Sequence, residues 1–269
     1  MCKFFKVSES GYYAWRKRDK GEKEIQELSL VRKIEQIHQG SRGTYGSPRI
    51  LRVLKGLGES CNKGKVEKLM KKNGIRAKTK KKFRTTTDSK HKLPVAPNLL
   101  ERNFSPEKPN QIWASDLTYV WTKEGWLFLA VIVDLFSRQI VGWSIDKTMT
   151  RELVLSALRQ AYFKRKPGTG LIFHSDRGSQ YCSKEFRQVL KQHQMLQSQS
   201  RKGDCWDNAV VESFFHTLKT EAIFHEVFET RAQAQAFIFE WIEAFYNRER
   251  LHSTIGYMSP VAFEETACA

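Results

Sequence analysis

Cysteine is sparse and unpatterned: Cys2, Cys61, Cys182, Cys205 and Cys268 are odd in number, far apart and never spaced C-x-x-C. That argues against a disulfide framework or a structural zinc site and fits a reducing compartment. Long apolar runs are missing as well. WLFLAVIV at 126–133 is too short to cross a bilayer, and the opening MCKFFKVSES has no apolar stretch of the signal-peptide kind. A soluble, cytoplasmic chain without membrane contact is expected. Internal repeats and low-complexity blocks are absent. Acidic residues are scarce in one part only: residues 1–110 hold 28 Lys and Arg against 11 Asp and Glu, whereas residues 111–269 hold 18 of each. So one-sided a field marks a polyanion-binding module joined to something with another task, and nucleic acid is the usual polyanion. A membrane surface fits less well, since no basic amphipathic helix with a broad aromatic face is present.

With 269 residues and 40% hydrophobic content, the chain can build one large core and a smaller satellite. We divide it into a basic segment (1–22), a helical unit (23–84), a Thr/Ser/Pro-containing linker (85–105) and an α/β unit (106–269). Within the helical unit, Ile25, Leu28, Val31, Ile34 and Ile37 recur at helical spacing over 23–39. A second helix opens at SPRILRVLKGLG, with Ser47 as N-cap and Pro48 at the first helical position. A third follows in NKGKVEKLMKKNG, capped by Asn62, with Val66, Leu69 and Met70 buried and Gly74 as a left-handed stop. Two short helices, the second carrying Lys63, Lys65, Lys68, Lys71 and Lys72, suit a helix-turn-helix. Such lysines often only solvate a helix. Here the basic run continues through Lys80, Lys81 and Lys82, which favours DNA contact.

From Gln111 the texture changes. IWASDLTYVW, GWLFLAVIVDLF and RQIVGWSI read as three consecutive antiparallel strands, the second covered on both faces. Helices follow over about 151–166 and 183–192, strands at LIFHSD and MLQSQS, and helices near 208–222 and 231–247. Strands first and then α/β alternation predict a mixed five-stranded sheet flanked by helices.

In DNAVVESFFHTLK, Glu212 stands among apolar residues, where an isolated buried carboxylate is costly. Helical spacing puts Val211, Phe214, Phe215 and Leu218 on one arc. Asn208, Glu212, His216 and Lys219 fall on a narrower arc beside it. Asp116 and Asp176 sit where the first and fourth strands end, the edge at which open sheets present catalytic groups. Were they neighbours with Glu212 above them, the three charges would repel unless cations held them. Mg²⁺ suits such oxygen ligands, and two ions about 3.5 to 4 Å apart clamp an in-line phosphoryl displacement. The plainer possibility is that both aspartates cap turns and Glu212 pairs with Lys219. Gly178 reads as turn chemistry rather than a phosphate cradle.

The blocks WASDLTYV, FHSDRGSQYCSKEF, GDCWDNAVVESFFHTLKTE and YNRERLHSTIGYMSPVAFE resemble those of bacterial insertion-sequence transposases made from two overlapping reading frames, whose D-D-E core is of the retroviral-integrase type. Asp176 and Glu212 are separated by 35 residues, matching that family's spacing. The resemblance runs through nearly the whole chain. It implies a ribonuclease H-like core behind a helix-turn-helix, with Asp116, Asp176 and Glu212 as catalytic residues holding two Mg²⁺ that Mn²⁺ can replace. It further implies double-stranded DNA as substrate, namely terminal inverted repeats and target, with oligomerisation on DNA, an upstream-frame product as partner, and residence at the bacterial nucleoid. The abrupt start agrees with a downstream-frame product. Lys219 matches the basic residue such proteins direct at terminal DNA. His174, Asn208 and His216 are further DNA-contact candidates, and a satisfied structural role suits His174 equally.

Three other functions compete. Tyr246, Arg248, Arg250 and His252 have the residue types of a tyrosine recombinase but cluster too tightly. A non-catalytic DNA-binding regulator, or a partial transposase inactive without an upstream segment, is a second. A plain ribonuclease H would leave the basic first part unexplained.

Overall fold

The computed structural model describes residues 4, 8–17, 21–78, 94–201 and 205–269, with backbone alone at 15, 17, 205 and 206. The described residues fall into two compact units that divide between Lys78 and Thr79. Lys80, Lys81 and Lys82 lie outside the described residues.

The first unit is all-helical: α1 (Glu9–Lys17), α2 (Glu22–Gly40), α3 (Ser47–Gly56) and α4 (Lys63–Lys72). Leu30, Val31 and Ile34 of α2 pack with Ile50 and Leu54 of α3 and with Val66, Leu69 and Met70 of α4. Only part of the predicted α2 stripe is buried, because Ile25 and Leu28 are 55% and 40% exposed. Asn62 caps α4 by accepting from the Lys65 amide at 2.8 Å, and Gly74 takes φ +69° just past its end. The cap of α3 is Gly46, one residue earlier than predicted, and Ser47 Oγ donates instead to Glu67 at 3.1 Å. Lys63, Lys65, Lys68, Lys71 and Lys72 are all exposed. Lys63 pairs with Glu67 and Lys72 with Glu27.

The second unit is built on a mixed sheet of β1 (Ile112–Thr122), β2 (Gly125–Asp134), β3 (Ile140–Asp146), β4 (Ile172–Ser175) and β5 (Leu196–Gln199), in the order β3-β2-β1-β4-β5. β1, β2 and β3 pair antiparallel, and β4 and β5 join β1 in parallel. On one face lie α5 (Arg151–Arg165), α6 (Ser179–Cys182) and α7 (Lys184–Gln192); on the other lie α8 (Ala209–Glu221), α9 (Arg231–Glu240) and the π-helical turn Trp241–Tyr246. The apolar run in β2 is explained by this layering: Leu127, Leu129, Val131 and Val133 enter the α8 side, and Ala130 and Ile132 the α5 side. α5 lies so close to β3 that a Cβ on Gly142 would come 2.5 Å from the Ala157 carbonyl oxygen.

A closing helix, α10 (Pro260–Cys268), was not anticipated. Residues 94–105 are also not the free linker expected. Their first half is strapped along β5: the Ala96 amide donates to Gln199 Oε1 at 2.8 Å, the Leu99 amide to Ser198 Oγ at 2.9 Å, and Leu100 is buried. Edge strands are commonly covered in this way.

Candidate active site

The parallel register of β1 and β4 runs from Ile112 opposite Ile172 to Ser115 opposite Ser175. Asp116 and Asp176 are the next residues on two strands about 4.8 Å apart. Asp116 does not end its strand, because β1 continues to Thr122 paired with β2 alone; it ends only the stretch shared with β4. Asp176 leaves β4 in a tight turn, where its Oδ1 accepts from the Gly178 amide at 2.9 Å. A Cβ on Gly178 would sit 3.0 Å from that oxygen, so the glycine serves the turn.

Asp116 accepts from the Leu117 amide at 2.7 Å. Its carboxyl is held well above the ordinary carboxylate range by withdrawal from water, then by the charge of Asp176 and, less, of Glu212; Lys219 opposes this. Each of these groups therefore stands in the field of Asp116. Tyr181 lies beneath them, fully buried with its hydroxyl 2.9 Å from Ser115 Oγ, and the same two aspartates help push its pKa up.

α8 supplies the third carboxylate. Val211, Phe214, Phe215 and Leu218 are buried against the sheet as the arc required, and Glu212, in the first turn, is half-buried with a pKa raised by that burial. Asn208 ties the start of α8 to the aspartate strand, donating to the Ser115 carbonyl at 3.3 Å, while its own Oδ1 is buried without a hydrogen-bond donor. Lys219 is 4% exposed, so an ordinary surface pair is ruled out. Its ammonium lies 4.8 Å from the centroid of the Tyr119 ring, and burial lowers its pKa to about 8 against the pull of Asp116.

The other candidates separate. His174 is fully buried, with its ring nitrogens 2.9 Å from Ser198 Oγ and 3.2 Å from Ser200 Oγ and its pKa lowered by burial to about 4. His216 faces solvent. Among the described residues, no group of three or more His, Cys, Asp and Glu side chains is assembled to chelate an ion. The register sets the two aspartates side by side, and Asp116 feels the charge of Glu212.

Two features escaped sequence reasoning. Tyr119 under the Lys219 ammonium is one. Asp207, fully buried just before α8, is the other: it accepts from the Arg201 amide (2.9 Å), Arg201 Nε and Nη2 (3.1 and 3.0 Å), Arg102 Nε (3.3 Å) and Asn98 Nδ2 (2.9 Å). Those donors hold its carboxyl far below the usual range. Arg102 and Asn98 lie far from Asp207 along the chain, as Tyr119 does from Lys219, and only Arg201 is a near neighbour in sequence. The tyrosine-recombinase arrangement does not survive: Tyr246 is buried, donates to the Arg138 carbonyl at 3.2 Å and has its pKa pushed up to about 12, while Arg250 is locked in a bidentate pair with Glu221.

Comparison with known proteins bears on this arrangement. Two family models described as "Integrase core domain" match residues 106–205 and 193–260, and one described as "HTH-like domain" matches residues 24–83. The chain is 46% identical over 265 residues to the "Insertion element IS600 uncharacterized 31 kDa protein" of Shigella sonnei, covering 98% of this chain and 97% of that one. It is 42% identical over 275 residues to "Transposase InsF for insertion sequence IS3A" of Escherichia coli (strain K12), covering 98% and 92%. Among solved structures, a chain of the simian T-cell lymphotropic virus intasome in complex with PP2A regulatory subunit B56 gamma matches with a TM-score of 0.50 and 16% identity over 86% of this chain and 74% of that one, a likeness of fold. No helix among the described residues is long and apolar enough to cross a membrane.

Proposed function

This chain belongs to the insertion-sequence transposases with an integrase core domain, and from that premise we propose that it cuts and joins DNA at Asp116, Asp176 and Glu212. The observation that carries the proposal is the register of β1 and β4, which sets Asp116 beside Asp176 in the fields of Glu212 and Lys219. The donor set suits Mg²⁺ or Mn²⁺: oxygen ligands alone, charges that disfavour one another without a cation, and the donorless Asn208 Oδ1 nearby. Asp116 and Asp176 would hold two ions with Glu212 completing the set, and the ions would neutralise phosphate and activate water. Around them, Lys219 presents a desolvated cation to the DNA backbone and Tyr119 limits its motion. Water first frees a 3′ hydroxyl at the element end; that hydroxyl then attacks a target phosphodiester, and the displaced 3′ oxygen leaves.

The exposed lysines of α4, continued by Lys80, Lys81 and Lys82, give the helical unit its grip on the terminal inverted repeats. Assembly on DNA as an oligomer, partnership with an upstream-frame product and residence at the nucleoid belong to the same proposal.

The test is oligonucleotide cleavage and strand transfer with Mg²⁺, comparing the parent chain with Asp116→Asn, Asp176→Asn and Glu212→Gln. Each variant should lose both steps while still binding DNA. Undiminished activity in any one of them removes that residue from the chemistry.

A further inference from the structure

Beyond Ser115, where β4 stops pairing, β1 and β2 run on with β3 beside β2 as far as Phe128, which lies opposite Tyr119; past it they form a two-stranded ribbon in which Trp121 lies opposite Trp126. Trp121 and Trp126 are 57% and 46% exposed, an unusual place for two indoles. They are not scattered. The Tyr119 and Trp126 rings meet edge to face at 5.0 Å and 84°, and those of Trp121 and Trp126 at 4.7 Å and 71°. The inner end of the row is the Lys219 ammonium over Tyr119, beside Asp116. A line of contacts therefore runs from Lys219, which stands in the field of Asp116, through Tyr119 and Trp126 to Trp121.

The ribbon's backbone is fixed. Lys123 N–H donates to the Phe228 carbonyl at 3.0 Å, Arg231 Nε to the Trp126 carbonyl at 3.1 Å, and Thr122 Oγ1 to the Gly125 carbonyl at 2.7 Å. Rings carried on a held backbone lose little freedom when something stacks on them. An edge-to-face contact covers at most one face of one ring, and both indoles keep about half their surface open.

We propose that Trp121 and Trp126 form a stacking platform for unpaired nucleobases at the end of the DNA being processed. The inference rests on the DNA-processing role above. Bases fit better than a protein partner because the row begins at a buried cation beside the carboxylates, and the Arg231 guanidinium lies against the Gly125 turn. A nucleotide strand crossing the ribbon would find cations for its phosphates at both ends and ring faces between them. Such stacking is tolerant of sequence, since every base has a π face, and contributes about 1–3 kcal/mol per base. Holding separated strands open at the terminus would leave the scissile phosphodiester accessible to the carboxylates.

The test uses the full chain in EDTA, so that no cleavage intervenes, with two duplexes: one blunt, and one ending in unpaired nucleotides that include 2-aminopurine. The parent should quench 2-aminopurine on the frayed duplex and bind it more tightly than the blunt one. In Trp121→Ala/Trp126→Ala the quenching should vanish and frayed-duplex affinity fall roughly 5- to 100-fold. Blunt-duplex affinity should change less than about twofold, and Trp126→Phe should recover part of the preference. Equal losses on both duplexes, or no loss on either, would overturn the platform. So would a lowered oligomeric state of the double variant by light scattering, which would make the ribbon a protein interface. Retained activity in the carboxylate variants would sink the catalytic assignment while leaving this comparison readable.

Discussion

Asp116 and Asp176 stand in step on adjacent parallel strands, each one residue past the Ser115–Ser175 pair. Two carboxylates so placed disfavour each other's charge, and the fold raises the pKa of Asp116. An acid whose folded pKa lies above its unfolded value destabilises the fold as pH rises through that interval. Metal-free Asp116→Asn should therefore melt above the parent at neutral pH, with the difference shrinking as pH falls toward the ordinary carboxylate range. Mg²⁺ should raise the parent's midpoint by a few degrees, at about 2–4 °C per kcal/mol for a chain of this size, and leave the variant unmoved. Calorimetry with and without Mg²⁺ decides the matter; an equal metal response in both proteins would remove Asp116 from the ligand set.

The sign is opposite at low pH for His174. Burial depresses its pKa from 6.5 to about 4, so it stays neutral in the fold and protonates in the unfolded chain. Its contribution is full above pH 6.5 and is lost as pH falls toward 4. The shift corresponds to something on the order of 3 kcal/mol. His174→Gln, with a lower midpoint at pH 7 from the broken Ser198 and Ser200 bonds, should lose less further stability between pH 7 and 4.5 than the parent. Parallel midpoint curves would show that His174 does not carry this acid sensitivity.

Gly142 tests the packing of α5 on the sheet. An alanine there would drive its methyl to 2.5 Å from the Ala157 carbonyl oxygen and 2.7 Å from Ala161 Cβ, and neither is the far end of a flexible side chain. The helix must shift, at about 1–3 kcal/mol. Gly142→Ala should lower the melting midpoint by several degrees; an unchanged midpoint would mean that α5 is free to move away.

Much of this arrangement was legible because its causes are local. The apolar run of β2, the arc of Val211, Phe214, Phe215 and Leu218, the Asn62 cap and the Gly74 stop each follow from a few neighbouring residues. Ser259 and Pro260 carry the cap-and-proline signature of a helix start, and Ser259 Oγ accepts from the Ala262 amide at the head of α10. Residues 94–105 were a different case, since the partners of Ala96 and Leu99 lie about 100 residues away in β5. Burial of charge was not legible. Lys219 is buried under Tyr119 and Asp207 among arginines, and neither burial shows in the charge of the residue itself.

The α4 lysines should not contribute equally to DNA binding. Lys63 and Lys72 are engaged with Glu67 and Glu27, whereas Lys65, Lys68 and Lys71 make no ion pair among the described residues. Replacing one lysine that neutralises a phosphate should reduce the slope of log affinity against log salt by about one. Lys68→Ala and Lys71→Ala should show that reduction, and Lys72→Ala much less of it. Equal slopes across the three variants, measured by anisotropy on a duplex, would mean that α4 does not meet the phosphates.

Asp207 offers the sharpest separation of positioning from chemistry. Its carboxylate gathers Arg201, Arg102 and Asn98 immediately before Asn208, which is tied to the Ser115 carbonyl and begins the helix carrying Glu212. Asp207→Asn keeps the shape and loses the charge that makes those bonds strong. The sequence of effects follows: the strap and the first turn of α8 loosen, Glu212 visits its working position less often, and DNA binding by the helical unit is untouched. Cleavage and strand transfer should fall about 10- to 100-fold, the range expected when the partners that orient metal ligands are lost, with duplex affinity within about twofold of the parent. Because Asp207 is held ionised by its arginines, its share of stability is present above the ordinary carboxylate pKa and disappears in acid. The variant should therefore be less stable than the parent at neutral pH and converge with it as the solution is acidified. A variant with parental turnover would show that α8 is positioned by its buried face alone, through Val211, Phe214, Phe215 and Leu218.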